Sequence, residues 1–154
     1  MLLATALALT ACALPPRAPQ DPTQPSWNGR LALQVEGAQA QSFSASFELR
    51  GSPERGELSL FSPLGSTAAQ LRWQPGAAVL QANGQERHYA SIEELSADAT
   101  GTPLPLAALF EWLAGRAAEV PGWQADLSQV ADGRLTARRS LPTPPAELRV
   151  VFAP

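Results

Sequence analysis

Gln41-Ser42-Phe43-Ser44-Ala45-Ser46-Phe47-Glu48-Leu49-Arg50 decides the fold. Phe43, Ala45, Phe47 and Leu49 fall on one face and the polar residues on the other, at the period of two that a half-buried strand requires. The same alternation runs outward in both directions. Upstream, Leu31, Leu33 and Val35 share a face of residues 27–36, and Gly37-Ala38-Gln39 makes the hairpin between the two strands. Downstream, a turn from Gly51 to Gly56 leads into residues 57–61, with Leu58 and Leu60 in phase, and then residues 67–73, with Ala69, Leu71 and Trp73 in phase. Residues 77–82 and 85–89 flank Asn83-Gly84, a type I′ hairpin signal. The pattern predicts about six antiparallel strands in succession.

Two helices then interrupt the strands. Ser91-Ile92-Glu93-Glu94 matches a capping box, with Ser91 as N-cap and Glu94 returning the bond, and Ile92 and Leu95 share a face. After Gly101-Thr102-Pro103, residues 105–115 place Leu106, Leu109, Phe110 and Leu113 at helical spacing, with Gly115 as the stop. Strand character returns at residues 122–130, 134–139 and 147–152, where Leu148, Val150 and Phe152 alternate. A strongly bent antiparallel sheet with a helical cover is the packing these elements predict.

Composition narrows the function classes. The chain has 154 residues, a formal net charge of −3, and 11 basic residues that are all arginine and, apart from Arg138-Arg139, scattered singly, so no surface attracts a phosphate backbone and no nucleic-acid partner is expected. One cysteine and one histidine cannot supply a structural zinc site, and no cofactor motif is present. Gly51 and Gly56 are spaced as in a P-loop but lack the following Lys and Ser or Thr. His88 sits in a strand without a nucleophile, and Glu93 and Glu94 face different sides of a helix, so no catalytic constellation forms and no enzyme is expected.

Cys12 closes an apolar opening with Leu9-Thr10-Ala11-Cys12, which resembles the lipobox of bacterial lipoproteins. Residues 1–11 are too short for the ~17–25 of a membrane span but fit the roughly 7–15 of a secretory apolar region, so they are expected to be a signal peptide cleaved before Cys12. The alternative is a buried cysteine in an ordinary helix. The resemblance implies acylation of Cys12, and several chains make a lasting anchor. No Arg or Lys precedes the apolar run, which points to a translation start further upstream. Residues 12–25 are the expected lipidated tether: the thirteen residues from Ala13 to Pro25 hold five prolines and reach roughly 40 Å at about 3.1 Å per residue. Ala13, in place of the Asp that the sorting rule of such lipoproteins reads as inner-membrane retention, points to the outer membrane. Residues 26–154 are then one folded domain.

Within that domain, Leu60-Phe61-Ser62-Pro63-Leu64-Gly65-Ser66-Thr67-Ala68-Ala69-Gln70-Leu71, Phe43-Ser44-Ala45-Ser46-Phe47, Pro103-Leu104-Pro105-Leu106 and Trp112-Leu113-Ala114-Gly115 resemble the LolB family in order. The resemblance covers residues 27–152. It implies an incomplete antiparallel β-barrel closed by a helical lid around a hydrophobic cavity. It also implies a function: a monomeric, lipid-anchored protein of the periplasmic leaflet of the outer membrane that accepts lipoproteins by their acyl chains from the carrier LolA and inserts them into outer-membrane lipid. Leu49 stands where many members have tryptophan, which alters the expected cavity wall, and the short C-terminal region after Pro142 to Pro145 leaves the last strand pairing open.

The inward faces place Leu31, Leu33, Phe43, Phe47, Leu58, Leu60, Leu71 and Trp73 in the cavity wall and Leu106, Leu109, Phe110 and Leu113 in the lid. Taken singly, each is as well explained by plain core; the resemblance tips the set toward a cavity. In Pro63-Leu64-Gly65 the turn residues put Leu64 at a loop tip, folding back under the sheet being the alternative. The corresponding leucine in the family protrudes and helps push cargo into the membrane, a role the resemblance carries to Leu64. An outer-membrane scaffold with a filled, purely structural barrel is the competing function, and a periplasmic hydrolase a remote one.

Overall fold

The structure, a computed structural model, describes residues 23–37, 40–100 and 103–154. The expected signal peptide, Cys12, the tether up to Pro22, the hairpin residues Ala38 and Gln39, and Gly101 and Thr102 lie outside the described residues. Alternation of apolar and polar residues produces β1 (Ser26–Val35), β2 (Gln41–Gly51), β3 (Gly56–Phe61), β4 (Thr67–Gln74), β5 (Ala77–Ala82) and β6 (Gln85–Tyr89). Helices α1 (Ile92–Thr100) and α2 (Leu106–Leu113) follow, then β7 (Trp123–Asp126), β8 (Arg134–Arg139) and β9 (Ala146–Phe152).

All nine strands form one antiparallel sheet in the order β6-β5-β4-β3-β2-β1-β9-β8-β7. It is an incomplete barrel: β6 and β7 are its two outer strands, and the helices cover the concave face. The C-terminal pairing left open by the sequence is a full one. β9 runs against β1 from Gly29↔Phe152 to Val35↔Ala146 and against β8 from Arg134↔Val151 to Arg139↔Ala146, so Ala146, Leu148, Val150 and Phe152 are all buried.

Two departures have local causes. The strand expected over residues 122–130 ends at Asp126, because the Asp126 carboxylate accepts the Ser128 N–H at 3.0 Å and the Ser128 hydroxyl at 2.6 Å, an Asx turn that competes with the ladder. The Glu94 N–H does donate to Ser91 Oγ (3.1 Å), but the Glu94 carboxylate accepts from the Ala90 N–H, one residue before the cap, at 3.0 Å. α2 ends in a Schellman motif, with Gly115 at φ 77° donating to Trp112 O and Arg116 N–H donating to Glu111 O, both at 2.9 Å.

α2 is buried nearly all round: Ala108 and Trp112 are as enclosed as the expected face of Leu106, Leu109, Phe110 and Leu113. The chain after the helix returns to cover it, and Trp112 Nε1–H donates to Ala118 O at 3.0 Å. An arginine takes an inward place on β8. Arg139, held below the usual guanidinium range by desolvation, lies 5.9 Å from the centre of the Trp123 ring and donates to Pro144 O at 2.7 Å, which ties down the β8–β9 connection.

At the other end of the barrel, Gly56 pairs with Trp73, whose indole N–H donates to Ser52 O at 3.1 Å. A Cβ on Gly56 would stand 2.5 Å from Trp73 Cζ2 and 2.6 Å from Arg50 O. Gly56→Ala is therefore expected to displace the indole and to cost about 1–3 kcal/mol, read as a lower urea midpoint at unchanged slope.

Candidate functional site

The strand directions give the barrel two different ends. The Phe61 end of β3, the Thr67 end of β4, the Ala82 end of β5 and the first residues of β2 and β9 come together at one of them. Here the interior holds a cavity of about 480 Å³. That volume lies in the ~300–1,000 Å³ range of small-molecule sites. Of the residues expected in its wall, Leu31, Leu33, Phe43, Leu58, Leu60 and Leu71 line it, as do Leu106 and Leu109 of the expected lid. Exposed Gln41, Ser42 and Phe43 form part of its rim, with Phe43 43% exposed.

Phe47, Trp73, Phe110 and Leu113 are buried but lie outside that lining. They belong to the packed core around it, Trp73 and Phe110 toward the opposite end. Phe110 packs edge-on against Trp27, with centroids 5.7 Å apart, and against Trp73 at 6.2 Å, and these three rings fill the barrel beneath the cavity. Leu49, where an altered cavity wall was expected, is fully enclosed in the core and also outside the lining.

Other lining residues were not expected from the sequence. Val35 and Leu148 extend faces already recognised, while Ala69, Leu80 and Ala82 come from β4 and β5. α1 contributes Ser96, Ala99 and Thr100, and the α1–α2 connection contributes Leu104 and Pro105, so the cover is made by both helices. The short side chains of Ser96, Ala99 and Thr100 are the available signal, since a helix that leaves room needs short side chains. Buried Ser96 is satisfied, its hydroxyl donating to Glu93 O and accepting the Leu104 N–H, both at 3.0 Å.

Among the described residues, the lining contains no ionisable side chain. A cavity of this kind binds by apolar area. Each methylene leaving water contributes about 0.8 kcal/mol, so ten contribute roughly 8 kcal/mol before the costs of association are subtracted.

Next to the cavity, β3 and β4 are joined by a tight loop. Ser62 N–H donates to Ser66 O and Gly65 N–H to Ser62 O, both at 2.9 Å, while Gly65 takes φ 84°, a value glycine reaches without strain. Pro63, Leu64 and Gly65 are all exposed, and Leu64 is 96% exposed, at the tip and not under the sheet. His88 is also exposed, with Nε2 2.9 Å from Glu86 Oε1 on the outer strand β6, away from the cavity lining.

The family described as "Outer membrane lipoprotein LolB" matches residues 24–143. Curated relatives named "Outer-membrane lipoprotein LolB" include one from Chromobacterium violaceum, 36% identical over 110 residues that span 71% of this chain and 57% of the relative. One from Bordetella petrii is 31% identical over 161 residues (87% of this chain, 81% of the relative), and one from Yersinia pseudotuberculosis is 32% identical over 143 residues (82% and 69%). The match thus spans a little over half the length of the Chromobacterium relative and 44% of one from Halorhodospira halophila.

Proposed function

We propose, from the premise that this chain belongs to the LolB family of outer-membrane lipoproteins, that it accepts lipoproteins at the outer membrane by their acyl chains and inserts them into the bilayer. The observation that carries this reading is the apolar cavity of about 480 Å³ without an ionisable wall, set at the same end of the barrel as the exposed Leu64 loop. The acyl chains occupy the space bounded by Leu31, Leu33, Leu58, Leu60, Leu71, Leu106 and Leu109. Phe47, Trp73, Phe110 and Leu113 support that space from the core without touching cargo. LolA is the donor, the protein is a monomeric receptor and not an enzyme, and direction comes from affinity differences, each tenfold step being about 1.4 kcal/mol. A scaffold would need no such cavity.

The domain boundaries proposed are a signal peptide at residues 1–11, a lipidated Cys12 with its tether to residue 25, and the binding domain from residue 26. This arrangement holds the domain beside the periplasmic leaflet, where Leu64 can reach lipid. Burying one leucine contributes about 1.5–3 kcal/mol, too little to anchor a protein but enough for a transient touch by one already tethered.

Purified chain mixed with LolA loaded with an acylated lipoprotein, and then with liposomes, tests both steps. Wild type should capture the lipoprotein and deliver it. Leu64→Glu should keep its melting temperature, since an exposed substitution moves stability by about 0.5 kcal/mol or less, and should still capture cargo. Delivery should fail, because glutamate in place of leucine makes lipid contact unfavourable by about 2 kcal/mol or more. Normal delivery by this variant would remove Leu64 from the mechanism, and failure of wild type to capture cargo would remove the function.

A further inference from the structure

The first residues of β2 are paired on one side only. β1 covers β2 along its whole length, from Val35↔Gln41 to Ser26↔Arg50, whereas β3 stops at Ser46↔Phe61. The direction of the unused groups follows from the alternation of an antiparallel ladder. Gly51 N–H donates to Pro25 O, on the β1 side, and Ser52 N–H donates to Arg55 O, on the β3 side. Even-numbered residues of β2 therefore turn their N–H and C=O toward β3. Beyond Ser46 those residues are Ser44 and Ser42, both exposed.

Pro63 is the reason the pairing stops. Continuing the register would set Ser44 opposite Pro63, which has no N–H to give to the Ser44 carbonyl. Ser62 and Ser66 instead close the β3–β4 loop on each other through their backbones and through hydroxyls 2.8 Å apart. Two donors and two acceptors, on Ser42 and Ser44, are left at a sheet edge.

This edge differs from the outer edge at β6, where Glu86, Arg87 and His88 are exposed and supply the charges that discourage strand addition. Residues 41–45 carry no charge. They are also continuous with the cavity, since Gln41, Ser42 and Phe43 belong to its lining. A chain whose lipid end fills the cavity leaves it past this edge, with its own extended backbone in need of partners.

We propose that the Ser42–Ser44 edge of β2 binds, by strand addition, the uncharged extended peptide that follows the acylated cysteine of a cargo lipoprotein. This rests on the acyl-binding reading of the cavity. Backbone pairing takes any uncharged segment without reading its side chains, while the cavity takes the lipid.

The test uses the full chain carrying Cys12→Ala and three water-soluble probes: a short-chain diacylglyceryl-cysteine with a six-residue Ser/Ala tail, the same molecule with alternate tail amides N-methylated, and diacylglyceryl-cysteine amide without a tail. The first should bind about tenfold more tightly than the other two and should slow hydrogen exchange at Ser42 and Ser44. Ser44→Pro, which removes an N–H facing away from the sheet, should bring the first probe down to the affinity of the tail-free one. Equal binding of all three probes overturns the edge and leaves the cavity reading intact; binding of none overturns both. If Ser44→Pro does not fold, the methylated probe still decides. Dimerisation of the wild type that Ser44→Pro abolishes would assign the edge to a second copy and overturn the proposal.

Discussion

Phe110→Ala should lower the stability of the fold by about 3–5 kcal/mol and its melting temperature by roughly 10 °C or more. Phe110 is 3% exposed, and its ring meets Trp27 and Trp73 edge-on, so truncation removes the transfer energy of a benzyl group and two aromatic contacts and leaves a void between indoles fixed from opposite strands. Trp73 cannot easily move in, because its indole N–H is held by Ser52 O and its ring lies against Gly56. Leu109, one position earlier on α2, already borders the cavity, so Leu109→Ala should sit at the lower end of the 2–5 kcal/mol range. Urea denaturation of the two variants would separate them. Equal losses would mean that Phe110 and Leu109 face the same kind of space and that the division of the barrel into an open and a filled half is wrong.

That division was the part of the site least visible in the sequence. Period-two patterning locates strands closely here because most strands turn one face inward: Ala45, Phe47 and Leu49 on β2 and Leu148, Val150 and Phe152 on β9 are buried as their spacing requires. Periodicity identifies a face, however, and not which part of that face borders open space. Phe47 and Leu60 are register partners on inward faces, yet only Leu60 touches the cavity. Whether an inward residue borders space or packing depends on what α1 and α2 place opposite it. For α1 that is Ser96, Ala99 and Thr100, short side chains that leave room; for α2 it is Phe110, which removes it. Leu64 was legible for the converse reason. Proline and glycine on either side fix a tight turn locally, and a tight turn has no interior for its middle residue to enter.

The free edge of β2 has the same origin in a local rule with a distant effect. Pro63 is a turn residue, as its sequence context predicts. Its missing N–H also ends a ladder in which its partner would be Ser44, nineteen residues earlier in the chain, and that consequence needs the register Ser46↔Phe61 before it can be drawn.

Filling the cavity should separate binding from stability. Ala69 is half-buried on β4, pairs with Leu60 and Ala82, and lines the cavity, so the side chain of Ala69→Trp has empty space to enter. Overpacking a filled core costs about 1–3 kcal/mol, but here the added ring replaces a void, and tryptophan suits a strand position; the melting temperature should change little. Under the proposed function, the indole would occupy volume that an acyl chain otherwise takes. Excluding about four methylenes removes roughly 3 kcal/mol of transfer energy, a loss of about a hundredfold in affinity for a diacylated peptide. Leu64→Glu, lying on the exposed loop, should bind that peptide as wild type does. The pair of variants thus assigns the two halves of the reaction to two places: Ala69→Trp should fail at capture and Leu64→Glu at delivery. A folded Ala69→Trp chain that binds the peptide with wild-type affinity would mean that the acyl chains lie outside this cavity, and the scaffold function would then be the better account of the same barrel.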